Sequence, residues 1–358
     1  MGSMWPRSTV TDRRQEDARR AVEAAVWAPS VHNTQPWRFG LRGARISLRA
    51  DADRRLEVAD PEGREMLISC GAALFTLRVA VRALGHEAEV HVLPDPDRPH
   101  LLADVHVGAR IEEDEDARRL YAVVRRRRTH RGAFRPDPVR PSLLSAMKLE
   151  AEREGVRLIQ VVETHTQLAL AGLTQAAEHI QQMTPAYAGE AARWAPAPGS
   201  RRTDGVHDVS YPSRPPHTDP DFAARDFARG HGWGAREEPG HEPGREGGRE
   251  GGGEEKSGAA PRPVTGLVIL VATPDDTPLD WLRAGQALQR ALLRATAEDD
   301  LAAAFHTQPL EIPEFREFIG RRFCNGHHPQ MLMRLGVPDG PVLTTVRRPA
   351  EEVVHEET

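Results

Sequence analysis

Hydrophobic positions along the chain alternate between two rhythms, one helical and one strand-like. Over residues 12–26 apolar side chains recur every three to four positions, and the run stops before Ala28-Pro29. A residue that precedes proline is pushed out of the helical region, so a helix is expected to end there. Residues 45–50 (RISLRA) alternate polar and apolar, as a strand does. Residues 66–84 are apolar around most of a helical circumference and meet Gly85, which predicts a buried helix with a glycine stop. Residues 87–93 and 101–107 alternate again and predict a half-exposed sheet.

The second half repeats this order. One helix is expected to end in the arginine run 125–128, and a second to span 141–154. Strands are predicted over 156–162 and 267–272, a long apolar helix over 280–298 and a final strand over 342–346. Aligning Gly71-Ala72-Ala73-Leu74 on Gly285-Gln286-Ala287-Leu288 keeps the following positions mostly apolar in both copies. This is a faint repeat with a period near two hundred residues, too long for a solenoid. It points to a duplicated domain or to coincidence.

Two segments break the rhythm. Residues 230–263 carry 11 glycines in 34 positions and almost nothing apolar. Such a stretch cannot bury enough surface to offset its ordering entropy, so a disordered surface loop is expected. Residues 184–220 are rich in Pro, Arg and Ser but keep Trp194 and Tyr211, which suits either a linker or a lid over a site.

Composition narrows the class. At 358 residues the chain has room for two domains, or one with insertions. Cys70 and Cys324 stand alone, with no C-x-x-C spacing, which fits a reducing compartment. A formal net charge of −5 disfavours a nucleic-acid binder. No apolar run approaches the ~20 residues of a membrane span, and residues 1–14 lack a signal-peptide core, so a cytoplasmic protein is expected. Of the 48 basic residues only Lys148 and Lys256 are lysines, which leaves 46 arginines. Neither lysine follows a glycine, so a P-loop is excluded; G-x-S-x-G and a strand-borne G-x-G-x-x-G are also missing.

Two clusters carry candidate chemistry. Residues 28–37 (APSVHNTQPW) pack two prolines, two hydroxyls, two amides, an imidazole and an indole into one turn. They could grip the polar edge of a planar heterocycle, or simply end a helix and plug the core with Trp37. Residues 125–131 (RRRRTHR) could clamp a phosphate, since guanidinium forks match its oxygens, or form a solvated face balanced by the acidic run 112–116. Cys324, His327 and His328 have metal-ligand chemistry but no second cluster, and read as a polar turn. His231 and His241 fall in the glycine-rich stretch, and Cys70 reads as a packing residue.

Together these clusters resemble the nitroreductase superfamily. APSVHNTQPW is similar to its flavin-edge loop, and Arg127-Arg128-Thr129-His130-Arg131 to its R-x-[ST]-x-[RK] FMN motif. Three further strings resemble its actinobacterial Acg-like branch: REMLISCGAAL (64–74), a W-x(n)-R-x-DG signature at 194–205, and HPQMLMRLG (328–336). The resemblance covers nearly all of the chain except 230–263 and implies an α+β, nitroreductase-like fold with FMN between two equivalent halves. Here the arginine motif stands only in the second half and the APS loop only in the first. An internally duplicated, single-chain pseudo-dimer with a lid segment is therefore expected, monomeric and with one complete flavin site. The expected division is 1–110 for the first half, 111–183 and 264–358 for the second, 184–229 for the lid and 230–263 for the loop.

Carried over residue by residue, the resemblance implies that Arg127 and Thr129 hold the FMN phosphate, with Arg128 alongside and Arg131 near the pyrimidine edge. A cation there would stabilise the charge that reduction places on the ring. Pro29, Ser30 and Asn33 would contact ring and ribityl from the other half, and Arg347 and Arg348 would close the phosphate pinch. Residues 308–311 would offer a backbone N–H to flavin N5; Pro309 has none, so Gln308 or another neighbour would serve. NAD(P)H and a small acceptor such as a nitroaromatic or quinone would be the partners, and no side chain need act as acid or base. The alternative is a protein that sequesters FMN, if Trp194 or the region of Asp204-Gly205 covers the ring.

Overall fold

The computed structural model describes residues 10–212, 218–227, 264–341 and 343–357. The expected loop at 230–263 lies outside them. The architecture is α+β, with two sheets and a helical layer between them.

Helix α2 (Arg64–Ala83) and helix α7 (Pro278–Asp299) cross at the centre of the molecule. By length and apolarity α2 could cross a membrane, yet it lies buried in the core against α7 and helix α1 (Val10–Ala25). Its start is capped by Asp60, whose carboxylate accepts from the N–H groups of Glu65 (3.0 Å) and Met66 (2.8 Å). Gly85 follows it in the left-handed region, at φ +85°. Helix α7 opens with a capping box, Thr277 and Asp280 each accepting from the other's backbone, and Pro278 in its first turn.

The crossing is very close. A Cβ on Gly71 would stand 2.3 Å from the Leu282 carbonyl oxygen, and one on Gly285 would stand 2.0 Å from that of Ile68. The two glycines that register the sequence repeat are thus the reciprocal contact points of the two central helices.

The first sheet runs β3 (His86–Val92), β4 (Leu101–Arg110), β2 (Arg45–Ala50), β1 (Trp37–Arg42), β9 (Val354–Glu356). Its first four strands pair antiparallel, and β9 joins β1 in parallel. The chain's last strand, inside the segment assigned to the second half, therefore completes the sheet of the first. The second sheet is antiparallel: β5 (Arg157–Val161), β6 (Leu267–Thr273), β8 (His328–Gly336), β7 (Ala302–Phe305).

Several elements differ from expectation. The HPQMLMRLG string forms a central strand, β8, buried along nearly all its length; a run buried on both faces loses the alternation that marks a strand. Residues 343–349 form no strand. Their backbone groups bond side chains instead of a ladder: Asn33 Nδ2 donates to the Val346 carbonyl and Gln35 Oε1 accepts from the Arg348 N–H. The helix before the arginines, α3 (Glu115–Ala122), ends early, and residues 123–126 turn the chain back. Helices α5 (Thr164–Met183) and α6 (Pro185–Arg193) follow β5, so the segment read as irregular begins with an ordered helix.

Candidate functional site

The loop after α1 is bent sharply. His32, Asn33 and Gln35 all adopt left-handed backbone, with φ of 46°, 54° and 51°. For residues with a Cβ this costs roughly 1–3 kcal/mol each, so the surroundings must enforce it. They do so through side chains: Ser30 Oγ accepts from the Gln35 N–H (3.0 Å), and Ser69 Oγ on α2 accepts from that of Val31 (3.1 Å). Asn33 Nδ2 donates to the carbonyls of Gly205 (2.9 Å) and Val346 (3.1 Å), and its Oδ1 accepts from Arg347 (3.0 Å). Trp37 is fully buried at the start of β1, so it does plug the core.

This loop walls one side of a cavity that holds about 1090 Å³ of space, counted to its mouth. Pro29, Ser30 and Asn33 from the first half face Thr129, Arg131, Gln308 and Arg347 from the second. Ile68, Ser69 and Ala72 of α2 and Leu288 of α7 form its floor. Thr129 pairs with Ala303 of β7, and the next N–H, of His130, donates to the Ala303 carbonyl (2.8 Å), which places the arginine motif beside the second sheet.

The arginines gather at one end. Arg127 is 2% exposed, and its Nε and Nη1 have no partner; Nη2 reaches only the Trp27 carbonyl, at 3.4 Å. Arg125, Arg128 and Arg347 all lie over the Trp27 ring, at 5.4, 5.5 and 5.9 Å from its centroid. Among the described residues no carboxylate pairs with Arg127, Arg128, Arg131 or Arg347. The acidic run serves other arginines: Glu113 pairs with Arg118, Asp114 with Arg82 and Asp116 with Arg294. The solvated-face reading therefore fails for these four, while Arg125 and Arg126 are exposed and Arg126 pairs with Asp300. Burial, and then the neighbouring Arg128, push the Arg127 guanidinium down to about 9. Burial followed by the charges of Arg127, Arg128 and Arg131 pushes Arg347 well below its ordinary value. Unpaired, mutually repelling, buried cations call for an anion in their midst.

Other predicted residues hold different posts. Arg348, like Arg127 and Arg128, does not line the cavity; its side chain turns to Glu352 (3.5 Å) and its N–H to Gln35. Gln308 lines the cavity, but its side chain donates to Glu178 Oε2 (3.1 Å) and the Ala223 carbonyl (3.3 Å). The backbone N–H groups of Thr307 and Gln308 make no hydrogen bond among the described residues. His327 bonds the Cys324 carbonyl, Cys70 and Cys324 are buried and free, and no described cluster could hold a metal.

The segment after α6 closes over the APS loop. Gly205 exchanges bonds with Asn33, its N–H donating to the Asn33 carbonyl at 3.2 Å, and Gln35 Nε2 donates to the Thr203 carbonyl at 2.9 Å. Gly205 sits at φ +76°, where a Cβ would strike the Trp194 carbonyl at 2.7 Å, which explains the glycine of the D-G pair. Trp194 does not face the cavity; it is flanked by Arg54 and Arg202, both paired with Asp204. Val206, Ala224, Arg225 and Phe227 cover the cavity instead. Arg54 and Arg202 hold the Asp204 carboxyl below its usual range against a desolvation that opposes them. The contribution of this clasp is present above the unfolded value, about pH 3.9, and is lost as pH falls through the depressed folded one. Asp204→Asn is expected to loosen the clasp at neutral pH, read as faster amide exchange at residues 203–206; unchanged protection would refute it.

The resemblance also put Val31 and His32 near the ring, and both line the cavity; His32 stands edge-on to Phe227 at 4.9 Å, with both ring nitrogens unpartnered. Three charged cavity residues were not foreseen. Glu65 stands inside REMLISCGAAL, whose apolar remainder conceals one buried acid. Arg225 and Arg334 reach the cavity from segments read as lid and core, and no local signal marks them.

The fold and site define an α+β protein with a cavity walled by the loop after α1, the central helices and residues from later in the chain, with buried arginines beside it. No family profile matches the chain. It is 34% identical over 347 residues to the Mycobacterium tuberculosis protein named "Putative NAD(P)H nitroreductase Rv3131", covering 95% of this chain and 91% of that one. It is 29% identical over 340 residues to "Putative NAD(P)H nitroreductase acg" of the same organism, covering 94% and 95%. A third relative, "Uncharacterized protein Rv3127", is 28% identical over 345 residues, covering 94% and 92%. The chain belongs to the nitroreductase family, in its Acg-like branch, and is an oxidoreductase of that type.

Proposed function

We propose that the cavity binds FMN and that the protein passes reducing equivalents from NAD(P)H to a small acceptor. The observation that carries this is the set of four guanidiniums with no carboxylate paired to them among the described residues, of which Arg131 and Arg347 line the cavity and Arg127 and Arg128 stand behind it. Arg127, Arg128, Thr129 and Arg347 would hold the phosphate, since a dianion answers the charge that burial leaves uncompensated. Arg131, half-buried and over the Tyr211 ring at 5.5 Å, would stand at the ring's electron-accepting edge. Pro29 and Ser30 would contact the ring. Asn33 would shape the loop, because both its N–H bonds and its oxygen are already engaged. The N–H of Thr307 or Gln308 would meet the ring nitrogen that Pro309 cannot. When bound, FMN supplies the hydride chemistry, and the chain supplies position and charge.

The reciprocal glycines at the helix crossing support an internal duplication, in which one chain does the work of a dimer and the protein is monomeric. Two buried free thiols suit a reducing cytoplasm. Residues 194–212 and 218–227 would act as the lid.

Mixing the FMN-loaded protein with NADPH in the absence of oxygen is the test. Rapid bleaching of the visible flavin band is the expected result. A persistent band would replace turnover with sequestration beneath the lid, and a protein that takes up no FMN would overturn the site.

A further inference from the structure

Two cavity side chains are almost wholly buried and have atoms with no protein partner: His32, 8% exposed, and Glu65, 3% exposed. Glu65 Oε1 accepts from Arg64 Nη2 at 2.7 Å, while Oε2 bonds nothing. Two further acids lie near Glu65. Asp60, which accepts from the N–H groups of Glu65 and Met66, and Glu311, which is held by Arg225, Thr307 and Gln181, both line a second, solvent-open groove between residues 59–64 and helix α8 (Pro313–Phe323).

We propose that Glu65 is the proton donor of the cavity, hydrogen-bonding the acceptor through Oε2–H. This rests on the function proposed above. The charged and titratable groups around Glu65 are Arg64 and Asp60 from its own segment, Glu311 from the turn before α8, Arg225 from the cover and Tyr187 from α6. Burial first, then the like charge of Glu311, raise the Glu65 carboxyl well above its ordinary range, against the opposing pull of Arg64. Burial likewise lifts Asp60 to about 6. The shift favours the protonated carboxyl, whose O–H at Oε2 is a donor without an acceptor until a ligand arrives.

Burial, then the charges of Arg225 and Arg131, push the His32 imidazole well below its ordinary value, which favours the neutral ring and makes it the poorer acid. The balance closes simply. Two electrons and one hydrogen originate on NAD(P)H; the second hydrogen leaves Glu65 as its O–H bond breaks and the acceptor's O–H or N–H bond forms. The resulting carboxylate is met by the charges of Arg64 and Arg225 until solvent reprotonates it.

Infrared spectroscopy of the full-length protein tests this with or without flavin. A protonated-carboxyl C=O band is expected at pH 7, shifted in D₂O and missing from Glu65→Gln. Glu311→Gln removes the neighbouring negative charge, so the band should titrate away at lower pH than in the wild type; this holds the test even if Glu65→Gln fails to fold. In FMN-loaded Glu65→Gln, reoxidation by the acceptor should slow about 100-fold or more, the scale of general acid catalysis, and lose its solvent deuterium effect. A wild type without the band, a band that survives Glu65→Gln, or unaltered reoxidation would overturn the assignment. Failure to take up FMN would sink the cofactor reading while the band still decides the state of Glu65.

Discussion

Replacing Arg127 and Arg131 together by alanine should give a folded, colourless protein that takes up no FMN. Charge-assisted hydrogen bonds contribute roughly 1.5–3 kcal/mol each, so losing two weakens binding about 10²- to 10⁴-fold. The same change should spare the ligand-free fold. Arg127 has two unpartnered nitrogens, and both residues push Arg347 away from its charged form. Removing unpaired buried cations relieves repulsion, which offsets the lost packing of their stems. Thermal melts check both claims. Wild type should gain about 2.7 kcal/mol of stability at FMN one hundred times its Kd, and the double variant nothing, while their ligand-free melting temperatures stay within a few degrees. A variant that remains yellow refutes the site.

Gly285→Ala should be among the most damaging single changes in the molecule, although it adds one methyl group. That methyl would meet the Ile68 carbonyl oxygen at 2.0 Å and the Ala72 nitrogen at 2.9 Å. Both are backbone atoms of a buried helix, so no side chain can swing aside. The helices must separate, which disrupts the core around them and the cavity floor they share. Overpacking usually costs about 1–3 kcal/mol; with backbone on both sides the cost should exceed about 3 kcal/mol, a large part of a typical total of about 5–15. Gly172→Ala is the control. Gly172 lies inside α5 with nothing within 4 Å of its Cβ position, so alanine should stabilise by roughly 0.5–1 kcal/mol. Urea titration compares the two; a Gly285→Ala midpoint equal to wild type would refute the crossing geometry.

The sequence was most legible where one residue type forces one outcome. Gly85 and Pro29 ended their helices because a left-handed stop and a pre-proline position leave little choice. Strand β3 showed itself through alternating burial, and β2 and β4 through polar residues such as Ser47 and Asp104, which are buried but bond each other. Strand β8 did not, because it is buried almost throughout and carries no alternation. The run 342–346 looked like a strand because apolar composition is shared by strands and by pinned, extended chain; the amides of Asn33 and Gln35 pin the chain here.

By itself, then, the sequence determined the α+β class, the central helices with their glycines, and two clusters of suitable chemistry far apart in the chain. It also carried the family, through strings such as APSVHNTQPW. The tertiary structure decided which members of those clusters share a cavity. It drew Arg127 inward without a carboxylate partner, turned Arg348 away, and placed Glu65, an unremarked acid in an apolar helix, at the cavity wall. The physical reason is one of range. Backbone preference and periodicity act over a few neighbouring residues and can be read locally. Burial and charge repulsion depend on what folding brings together from hundreds of residues away.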